Sequence, residues 1–516
     1  MAAQWLLHDA LVASAARHPS KTAIAAEDGR ATYAEFAASA LGLAASLRHE
    51  GLERGDRVAL FMENSLACAT AMYGVLLAGG VFVTVNPQTK ADRLTFILDD
   101  SGARFLLAEG PITRIAAAAR AEAQAPPRLI CARAPEDVDG VGRDGADEFH
   151  RLIGVPGSPA ANETIPTDLA ALLYTSGTTA TPKGVMLTHQ GMVFVIDSIA
   201  GYLRLGPDER VLNVLPLAFG YGLSQLLLTV RLGATLILER SFAYPAHTLR
   251  RIEGEQATVF PAIPTVFATL ASMFVDGGKT WASVRTITNA AAGLPPALHD
   301  QLRTLFPNAL IFRMYGLTEC IRVCYLEPEL VDEKPTSVGR AIPGTEAFVL
   351  DDDGRRVEPG EVGTLYVRGP HVMPAYWNAA EQTAHMIKIG DYPGDRLLCT
   401  HDLFTVDADG DLFFVSRSDE IIKTRGEKVS PVHVENVLFS VDGIKEAAVV
   451  GIPDDLLGQA IRAYIVPDEG ATVDEAAVLR ICRERLESFA VPHEVRVIEE
   501  LPKTPSGKVR RRSLLA

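Results

Sequence analysis

The chain has 516 residues, more than one simple hydrophobic core accommodates, and this length predicts two or more domains. Its net charge of −15 argues against nucleic acid or an anionic membrane surface as the main partner. The 6 cysteines are scattered without a Cys-x-x-Cys pair, so we expect free thiols in a reducing, cytoplasmic compartment rather than a zinc site.

Uncharged stretches of nearly membrane-spanning length occur at residues 65–87, 211–230 and 256–275. Each contains glycine or proline residues that divide it into helix or strand pieces of ordinary length. The N-terminus lacks the basic region and long apolar core of a signal peptide. We therefore expect all three stretches to be buried core, with no membrane span.

Alternating strand and helix patterns fill most of the chain. Residues 57–61 and 81–85 are predicted strands with a helix between them, and residues 211–217 are a further predicted strand. Thr32 is expected to cap the helix that follows it. Strand–helix–strand order with short turns favours parallel strands joined by right-handed crossovers.

The pattern changes twice towards the C-terminus. From about Val338 short strands and turns predict a β-rich subdomain, and after residue 418 helices and strands alternate in a compact unit. The expected fold class is α/β. It has a large N-terminal domain of helix-flanked parallel sheets plus the β-rich subdomain, residues 1–418, and a small α+β C-terminal domain, residues 419–516.

A polar loop follows the apolar run at residues 169–174 and ends in Pro182-Lys183-Gly184. Its hydroxyls, the backbone N–H groups beside a glycine and the Lys183 ammonium are groups that bind polyphosphate. It is not a Walker A loop, because Pro182 and Gly184 stand where that motif needs glycine and Ser or Thr. Composition alone leaves phosphate binding and a plain surface loop equally open.

The loop resembles the phosphate loop of the adenylate-forming superfamily: acyl-CoA synthetases, adenylation domains of nonribosomal peptide synthesis, and luciferases. The resemblance recurs in order from about Thr32 to the C-terminus, and Ala180 departs from it where glycine is usual. It implies an N-terminal adenylation domain that binds ATP and an acid, and a mobile C-terminal domain.

The resemblance also implies roles for individual residues. The implied phosphate contacts are Thr175, Ser176, Gly177, Thr178, Thr179 and Lys183; the adenine contacts are Ala290, Ala291, Ala292, Tyr315 and Gly316; the ribose contacts are Asp402 and Arg417. Thr318 is expected to touch phosphate and Glu319 to bind Mg²⁺, which prefers carboxylate oxygens. The small side chains of residues 290–293 are equally compatible with tight helix–strand packing. His401 stands where the family usually has glycine, so the sequence does not fix the conformation of the loop beside Asp402.

The C-terminal run of residues 501–510 resembles the segment that carries the family's catalytic lysine, here Lys508. This ammonium is expected to bridge the carboxylate and the α-phosphate during adenylation. The resemblance implies that the C-terminal domain then turns about Asp419 and that Gly426 lines a pantetheine tunnel. The run of arginines at residues 510–512 reads as a solvated face, with CoA phosphate as an alternative contact.

The acyl pocket is expected to include Phe219, Tyr221, Gly222, Ala291 and Cys320. Amino-acid-activating relatives have an aspartate where this chain has Gly220, so a buried α-ammonium would lack its partner. We therefore predict an aryl or aliphatic acid without an α-amine. Arg322 reads mainly as one half of a structural ion pair, with a polar substituent of the acid as the alternative.

The resulting prediction is an AMP-forming acyl-CoA ligase that uses ATP, Mg²⁺ and coenzyme A. A ligase that loads an acyl carrier protein is the first alternative, because it would share the adenylation step. A luciferase-like oxygenase is the second. No nucleic acid and no membrane span are expected.

Overall fold

The structure is a computed structural model that describes residues 4–138, 141, 145–157, 163–175, 182–274, 279–424, 427–454, 457–504 and 508–515. Within these residues the helices are α1 Leu7–Arg17, α2 Tyr33–His49, α3 Leu66–Ala78, α4 Ala91–Ser101, α5 Thr113–Glu122, α6 Glu148–Ile153, α7 His189–Tyr202, α8 Gly220–Leu232, α9 Pro245–Gly254, α10 Pro264–Ser272, α11 Pro296–Leu305, α12 Ala380–Met386, α13 Pro431–Leu438 and α14 Glu475–Arg485.

The strands of the same residues fall into three sheets. They are β1 Thr22–Ala26, β2 Gly29–Thr32, β3 Arg57–Phe61, β4 Val81–Thr84, β5 Phe105–Glu109, β6 Arg128–Ala132, β7 Leu169–Thr175, β8 Lys183–Thr188, β9 Arg210–Asn213, β10 Thr235–Leu238, β11 Val259–Ala262, β12 Thr286–Asn289, β13 Leu310–Tyr315, β14 Cys324–Leu326, β15 Ser337–Ala341, β16 Glu346–Leu350, β17 Gly363–Arg368, β18 Ile387–Ile389, β19 Arg396–Val406, β20 Leu412–Arg417, β21 Ile422–Thr424, β22 Glu427–Val429, β23 Ile444–Asp454, β24 Gly458–Pro467 and β25 Glu494–Val497.

A six-stranded sheet has the order β6-β5-β3-β4-β7-β8 and is parallel except for the last pair. Its central strands are buried along nearly their whole length, with polar residues only at their ends, as expected for a parallel sheet covered on both faces. The predicted strands at residues 57–61 and 81–85 are neighbours in this sheet, with α3 between them in sequence. The parallel strand–helix–strand arrangement expected from the sequence is therefore confirmed, while the expected right-handedness of the crossover stays a prediction.

A longer sheet of fourteen strands joins the second parallel region to the β-rich region. The parallel part runs β13-β12-β11-β9-β10-β1, and β14 then pairs antiparallel with β13 and continues into β15, β20, β19, β17 and β16. The predicted change of pattern near Val338 falls in β15. The β-rich subdomain is thus a continuation of the long sheet, so β13, β19 and β20, which carry Tyr315, Asp402 and Arg417, belong to one hydrogen-bonded layer.

The C-terminal sheet, β22-β21-β24-β23 with β25 beside β24, contains only strands from residues 422–497. Its core is a cluster of buried aliphatic side chains that includes Val434, Ile461 and Val478. Helices α13 and α14 supply part of this cluster. The last hundred residues therefore have a hydrophobic core of their own, as an α+β unit requires.

Local signals in the sequence set several of the observed boundaries. Thr32 caps α2, since its hydroxyl accepts the N–H of Glu35 and the Glu35 carboxylate accepts the N–H of Thr32. The strand predicted at residues 211–217 was too long: β9 ends at Asn213, whose side chain accepts the N–H of Leu215 and turns the chain. None of the described helices has both the length and the apolar character that crossing a bilayer requires.

Candidate active site

The carboxyl ends of β7, β12 and β13 open onto one large cleft of about 2640 Å³. Of the residues predicted from the sequence, this cleft is lined by Thr175, Lys183, Phe219, Ala291, Ala292, Tyr315, Gly316, Thr318, Glu319, Asp402, Arg417, Asp419 and Lys508. The predicted Ser176, Gly177, Thr178, Thr179 and Gly426 lie outside the described residues.

Tyr315, Asp402 and Arg417 form the centre of the nucleotide side. Tyr315 ends β13, and its hydroxyl donates a short hydrogen bond to Asp402 Oδ2. Asp402 and Arg417 are register partners on β19 and β20, with Arg417 Nη1 3.9 Å from Asp402 Oδ1. Phe404 and Phe414 pack against the Tyr315 ring and hold it in place. The consecutive strands β19 and β20 and the sequence-distant strand β13 thus share one preorganised cluster.

Asp402 retains one buried oxygen, Oδ1, without a hydrogen-bond donor. Burial raises the pKa of this carboxyl group, while the Arg417 guanidinium and the Tyr315 hydroxyl oppose the rise. An orphaned carboxylate oxygen at the edge of a cleft fits a hydroxyl donor from a ligand, because an unmet buried acceptor is costly. The ribose contact implied by the sequence is chemically suited to this atom.

Two non-glycine residues of the site, one of them His401 at a position where glycine is usual, have a glycine-like backbone. Ala291 has a φ of 75° and His401 a φ of 55°, both in the left-handed region. The change from glycine to histidine therefore leaves the turn before Asp402 intact at a small conformational cost. The His401 ring stacks on His385, with ring centroids 4.3 Å apart, and both side chains line the cleft.

Glu319 is held by a residue that the sequence analysis did not single out. The Tyr376 hydroxyl donates to Glu319 Oε1 at 2.5 Å, and Lys183 Nζ lies 5.5 Å from the centroid of the Tyr376 ring. Burial and the neighbouring Glu319 charge raise the pKa of Tyr376, so its hydroxyl remains a donor. Tyr376 is 57 positions from Glu319 in sequence, so no local sequence motif predicts this contact.

The surroundings of Glu319 suit Mg²⁺ bound mainly through phosphate. Tyr376 occupies one carboxylate oxygen, which leaves the other for a metal ion. Among the described residues, the clusters of three possible ligands lie elsewhere, at Glu27 with Glu239 and His247 and at the 407–411 turn. One protein carboxylate plus substrate phosphates is an ordinary Mg²⁺ coordination, so the residues present fit this ion.

Lys508 reaches the same cleft from the C-terminal tail. Lys503 and Val509 form an isolated bridge, and Thr504 Oγ1 accepts the Lys508 N–H at 3.1 Å, so a short hairpin presents the lysine. Lys508 is accessible from the cleft, where the surrounding protein displaces part of its hydration shell. This partial desolvation lowers the pKa of Lys508, while the carboxylates of Asp402 and Glu319 oppose the effect. The Lys508 ammonium therefore shares the cleft with both carboxylates and is close enough to interact with each of them electrostatically.

Arg511 corrects one sequence interpretation. The 510–512 run was expected to be a solvated face, but Arg511 Nη1 pairs with Glu420 Oε2 at 2.8 Å and Nη2 pairs with Glu435 at the same distance. Glu435 is buried in α13, and Glu420 immediately follows Asp419. The guanidinium therefore ties the tail that carries Lys508 to the segment after the proposed hinge.

The acyl side is built from packing rather than from charge. Phe219 lines the cleft immediately before α8. The Tyr221 hydroxyl hydrogen-bonds Thr288 on β12, which fixes the ring against that strand. A Cβ at Gly222 would lie 2.2 Å from the Pro216 carbonyl oxygen, so this glycine is needed for close packing.

Four of the predicted site residues that the structure describes do not line the cleft: Tyr221, Gly222 and Cys320 of the expected acyl pocket, and the expected adenine contact Ala290. Cys320 is fully buried in the core of the β-rich region, where burial raises its pKa to about 12. Ala290 is also buried. A Cβ at Gly220 would approach Ile321 Cδ1 to 2.9 Å, so the aspartate found in amino-acid-activating relatives has no room without a shift.

Comparison with known proteins agrees with this geometry. Residues 11–377 match the AMP-binding enzyme family, and residues 433–508 match the AMP-binding enzyme C-terminal domain. The chain is 33% identical over 507 residues to a dioxo-octahydro-indenyl propanoyl CoA ligase of Mycobacterium tuberculosis, with 96% of each chain covered. It is 30% identical over 533 residues to a long-chain-fatty-acid–CoA ligase of Bacillus subtilis, with 99% of this chain and 94% of the relative covered.

A solved structure has the same architecture over nearly the whole chain. It is o-succinylbenzoate coenzyme A synthetase from Bacillus subtilis in complex with ATP and magnesium ion, with a TM-score of 0.84, 28% identity and 98% of each chain covered. The fold and the matches agree with the adenylate-forming class expected from the sequence. The chain belongs to the AMP-binding enzyme family.

Proposed function

We propose that the protein is an AMP-forming acyl-CoA ligase for a carboxylic acid without an α-amine. In the first half-reaction a carboxylate oxygen attacks the α-phosphorus of ATP, the bond to the β-phosphate breaks, and pyrophosphate leaves. In the second the CoA thiol attacks the acyl carbonyl, loses its proton, and AMP leaves. The observation that carries this proposal is the convergence of Lys508, Asp402 and Glu319 on one cleft.

Each of these side chains has a task suited to its surroundings. The orphaned Asp402 oxygen accepts a ribose hydroxyl, and Tyr315 provides an aromatic face for adenine. Glu319, oriented by Tyr376, supplies the carboxylate for Mg²⁺, which when bound neutralises phosphate charge. Lys508 stabilises the negative charge that develops between the attacking carboxylate and the α-phosphate. Lys183, which lines the same cleft, would contact the outer phosphates.

We further propose that residues 1–418 form the adenylation domain and residues 419–516 a domain that turns about Asp419. Support comes from the separate core of the C-terminal sheet and from the Arg417–Asp419 contact, with Arg417 Nε 3.1 Å from Asp419 Oδ1. The arrangement with Lys508 in the cleft suits the first half-reaction. The proposed role of Gly426 in the second half-reaction stays a prediction. Six free cysteines support a reducing compartment such as the cytoplasm.

The proposal is tested by acid-dependent exchange of labelled pyrophosphate into ATP, across aryl acids and aliphatic acids from short to long chains. We expect exchange with at least one acid, and release of AMP that depends on CoA. Acylation of a carrier protein without turnover of CoA would favour the carrier-protein alternative, and light or oxygen uptake would favour an oxygenase. An absence of AMP with every acid would contradict the proposal.

A further inference from the structure

A buried cation lies next to the proposed acyl side. Arg322 is 2% exposed and is among the largest fully buried side chains of the protein. Its Nε has no hydrogen-bond partner, and within the described part of the chain no carboxylate forms an ion pair with it. The structural ion pair expected from the sequence is therefore missing there. A buried charge without a counter-charge is strongly destabilising. Stability alone would therefore favour an acidic partner for Arg322, and the described residues supply none.

The described groups around Arg322 are neutral, and one of them, the Tyr202 side chain, hydrogen-bonds the guanidinium without supplying a counter-charge. The guanidinium lies 5.3 Å from the centroid of the Tyr221 ring. Burial raises the pKa of Tyr202 to about 12 and also raises the pKa of Tyr221, and the Arg322 charge opposes both shifts. Burial lowers the pKa of nearby His371 to about 4, so this ring is uncharged at neutral pH. The aromatic face of Tyr221 offers the guanidinium a weak contact but no counter-charge.

The N-terminal end of α8 adds a second positive feature at the same place. Phe219 precedes this 13-residue helix, and its side chain cannot accept a hydrogen bond from the first turn. The first intrahelical hydrogen bond is donated by the Leu223 N–H to the Phe219 carbonyl. The preceding N–H groups and the helix dipole therefore favour an anion. Phe219 lines the cleft, and Tyr221 in the first turn contacts Arg322.

The backbone that places Arg322 is strained. Ile321 has a φ of 64°, which is rare for a β-branched residue. A Cβ at Gly316, a residue of the cleft wall, would lie 3.0 Å from Arg322 Cα, so the strained turn runs directly behind that wall. Strain of this kind persists where function uses the resulting geometry.

We propose that Arg322 and the N-terminal end of α8 bind a second anionic group on the acyl substrate, so that the preferred acid is a dicarboxylic one. This inference rests on the proposed function. One carboxylate is adenylated near Lys508, and the other pairs with the guanidinium beside the Tyr221 ring. A charge-assisted pair in a dry site favours the doubly charged acid over a methyl-ended acid of equal length. The named relatives include a ligase for o-succinylbenzoate, whose acid carries such a second group.

The test compares acids matched in length. Octanoate is paired with suberate, heptanoate with pimelate, and cinnamate with its para-carboxy derivative, in pyrophosphate exchange with the full-length wild-type protein. We expect kcat/KM to favour the dicarboxylate of a pair by about 10- to 100-fold, mainly through KM, the range that one charged hydrogen bond supplies. Preference for the methyl-ended or unsubstituted acid in every pair would overturn the inference.

Variants locate the effect at Arg322. Arg322→Met, similar in volume but neutral, is expected to remove the preference, while Arg322→Lys keeps part of it. Arg303→Met, at an exposed arginine paired with Asp332, is the matched control and should leave the preference unchanged. Equal loss for both acids of a pair in Arg322→Met would assign the arginine a structural role and overturn the inference.

The folding of Arg322→Met and the set of acids that support exchange distinguish failure of this inference from failure of the proposed function. If Arg322→Met does not fold, the wild-type pairs and Arg322→Lys still decide. Exchange with methyl-ended acids but with no dicarboxylate contradicts only this inference. Absence of exchange with every acid contradicts the proposed function itself.

Discussion

The nucleotide side and the acyl side of the cleft are built from different kinds of interaction. On the nucleotide side, Tyr315, Asp402 and Arg417 contact one another through hydrogen bonds and charge. On the acyl side, Gly222 and Tyr221 are fixed by close packing and by bonds to the backbone of other strands. In our proposal the first side binds ATP whichever acid is activated, whereas the second follows the shape of that acid. Substitutions should therefore have larger and more specific effects on the first side.

Loss of the Lys508 ammonium should have the largest effect. Lys508→Ala is expected to reduce acyl-adenylate formation by about 10²–10³-fold, because one preorganised charge at the transferring phosphate is removed. Thioester formation from a preformed acyl-adenylate should be spared. The two rates are measured separately by pyrophosphate exchange and by CoA consumption.

Lys503→Ala is the matched control, since Lys503 lies on the same hairpin but pairs with Glu446 at 2.7 Å. It should retain adenylation. Equal loss of both half-reactions in Lys508→Ala would contradict the role proposed for this residue.

Restriction of the hinge should affect the other half-reaction. Asp419→Pro fixes φ near −65°, and we expect it to hold the arrangement with Lys508 in the cleft. Adenylation should persist while thioester formation falls by about 100-fold, the scale of a misplaced reacting group. Asp419→Ala removes the ion pair to Arg417 but leaves the backbone free, so it should keep both rates. Thioester formation at the normal rate in Asp419→Pro would rule out the hinge.

Asp402→Asn should separate stability from activity. The amide is a poorer acceptor for ribose, so KM for ATP should rise by about 10- to 100-fold. Because burial raises the pKa of the folded carboxyl group, ionisation costs stability as the pH rises above the unfolded value. The variant should therefore unfold at a temperature no lower than wild type at neutral pH. Wild-type activity should fall as the pH drops through the raised pKa.

Calorimetry and initial rates across pH measure these effects. The surface variant Asp409→Asn should show neither effect, because Asp409 is exposed and pairs with Lys334. Clear destabilisation of Asp402→Asn at neutral pH would show that the contacts to Tyr315 and Arg417 outweigh the burial of the charge.

Removal of the hydroxyl that orients Glu319 should have a smaller effect. Tyr376→Phe keeps the ring under Lys183 but loses the 2.5 Å bond to Glu319. We expect the Mg²⁺ concentration for half-maximal activity to rise by about 10-fold, as for other residues that hold a metal ligand. A magnesium titration at saturating ATP measures it. A lower maximal rate with an unchanged magnesium requirement would argue against a link through Glu319.

The two sides also differ in how far the sequence predicts them. The order of strands and helices follows from hydrophobic period and turn residues. The nucleotide side is predicted from short motifs that resemble those of the adenylate-forming superfamily, such as residues 314–319. Contacts such as Tyr376 to Glu319 and Arg511 to Glu435 join distant segments and leave no local pattern. The burial of Cys320 depends on how β14 packs against the β-rich region, which periodicity does not specify. Site residues are therefore hardest to predict from sequence on the acyl side, where long-range packing decides which side chains reach the cleft.

The smallest effects on stability and activity are expected from substitutions at non-glycine residues with positive φ. Ala291→Gly and His401→Gly should raise stability by up to about 1 kcal/mol through relief of positive φ, offset in part by the greater flexibility of the unfolded chain. Activity should stay within about twofold, because Asp402 keeps its position. His401→Val, which tolerates positive φ poorly, should instead lose both stability and ATP affinity. If His401→Gly lost activity as well, the ring stacked on His385 would have a role in the cleft beyond the shape of the turn.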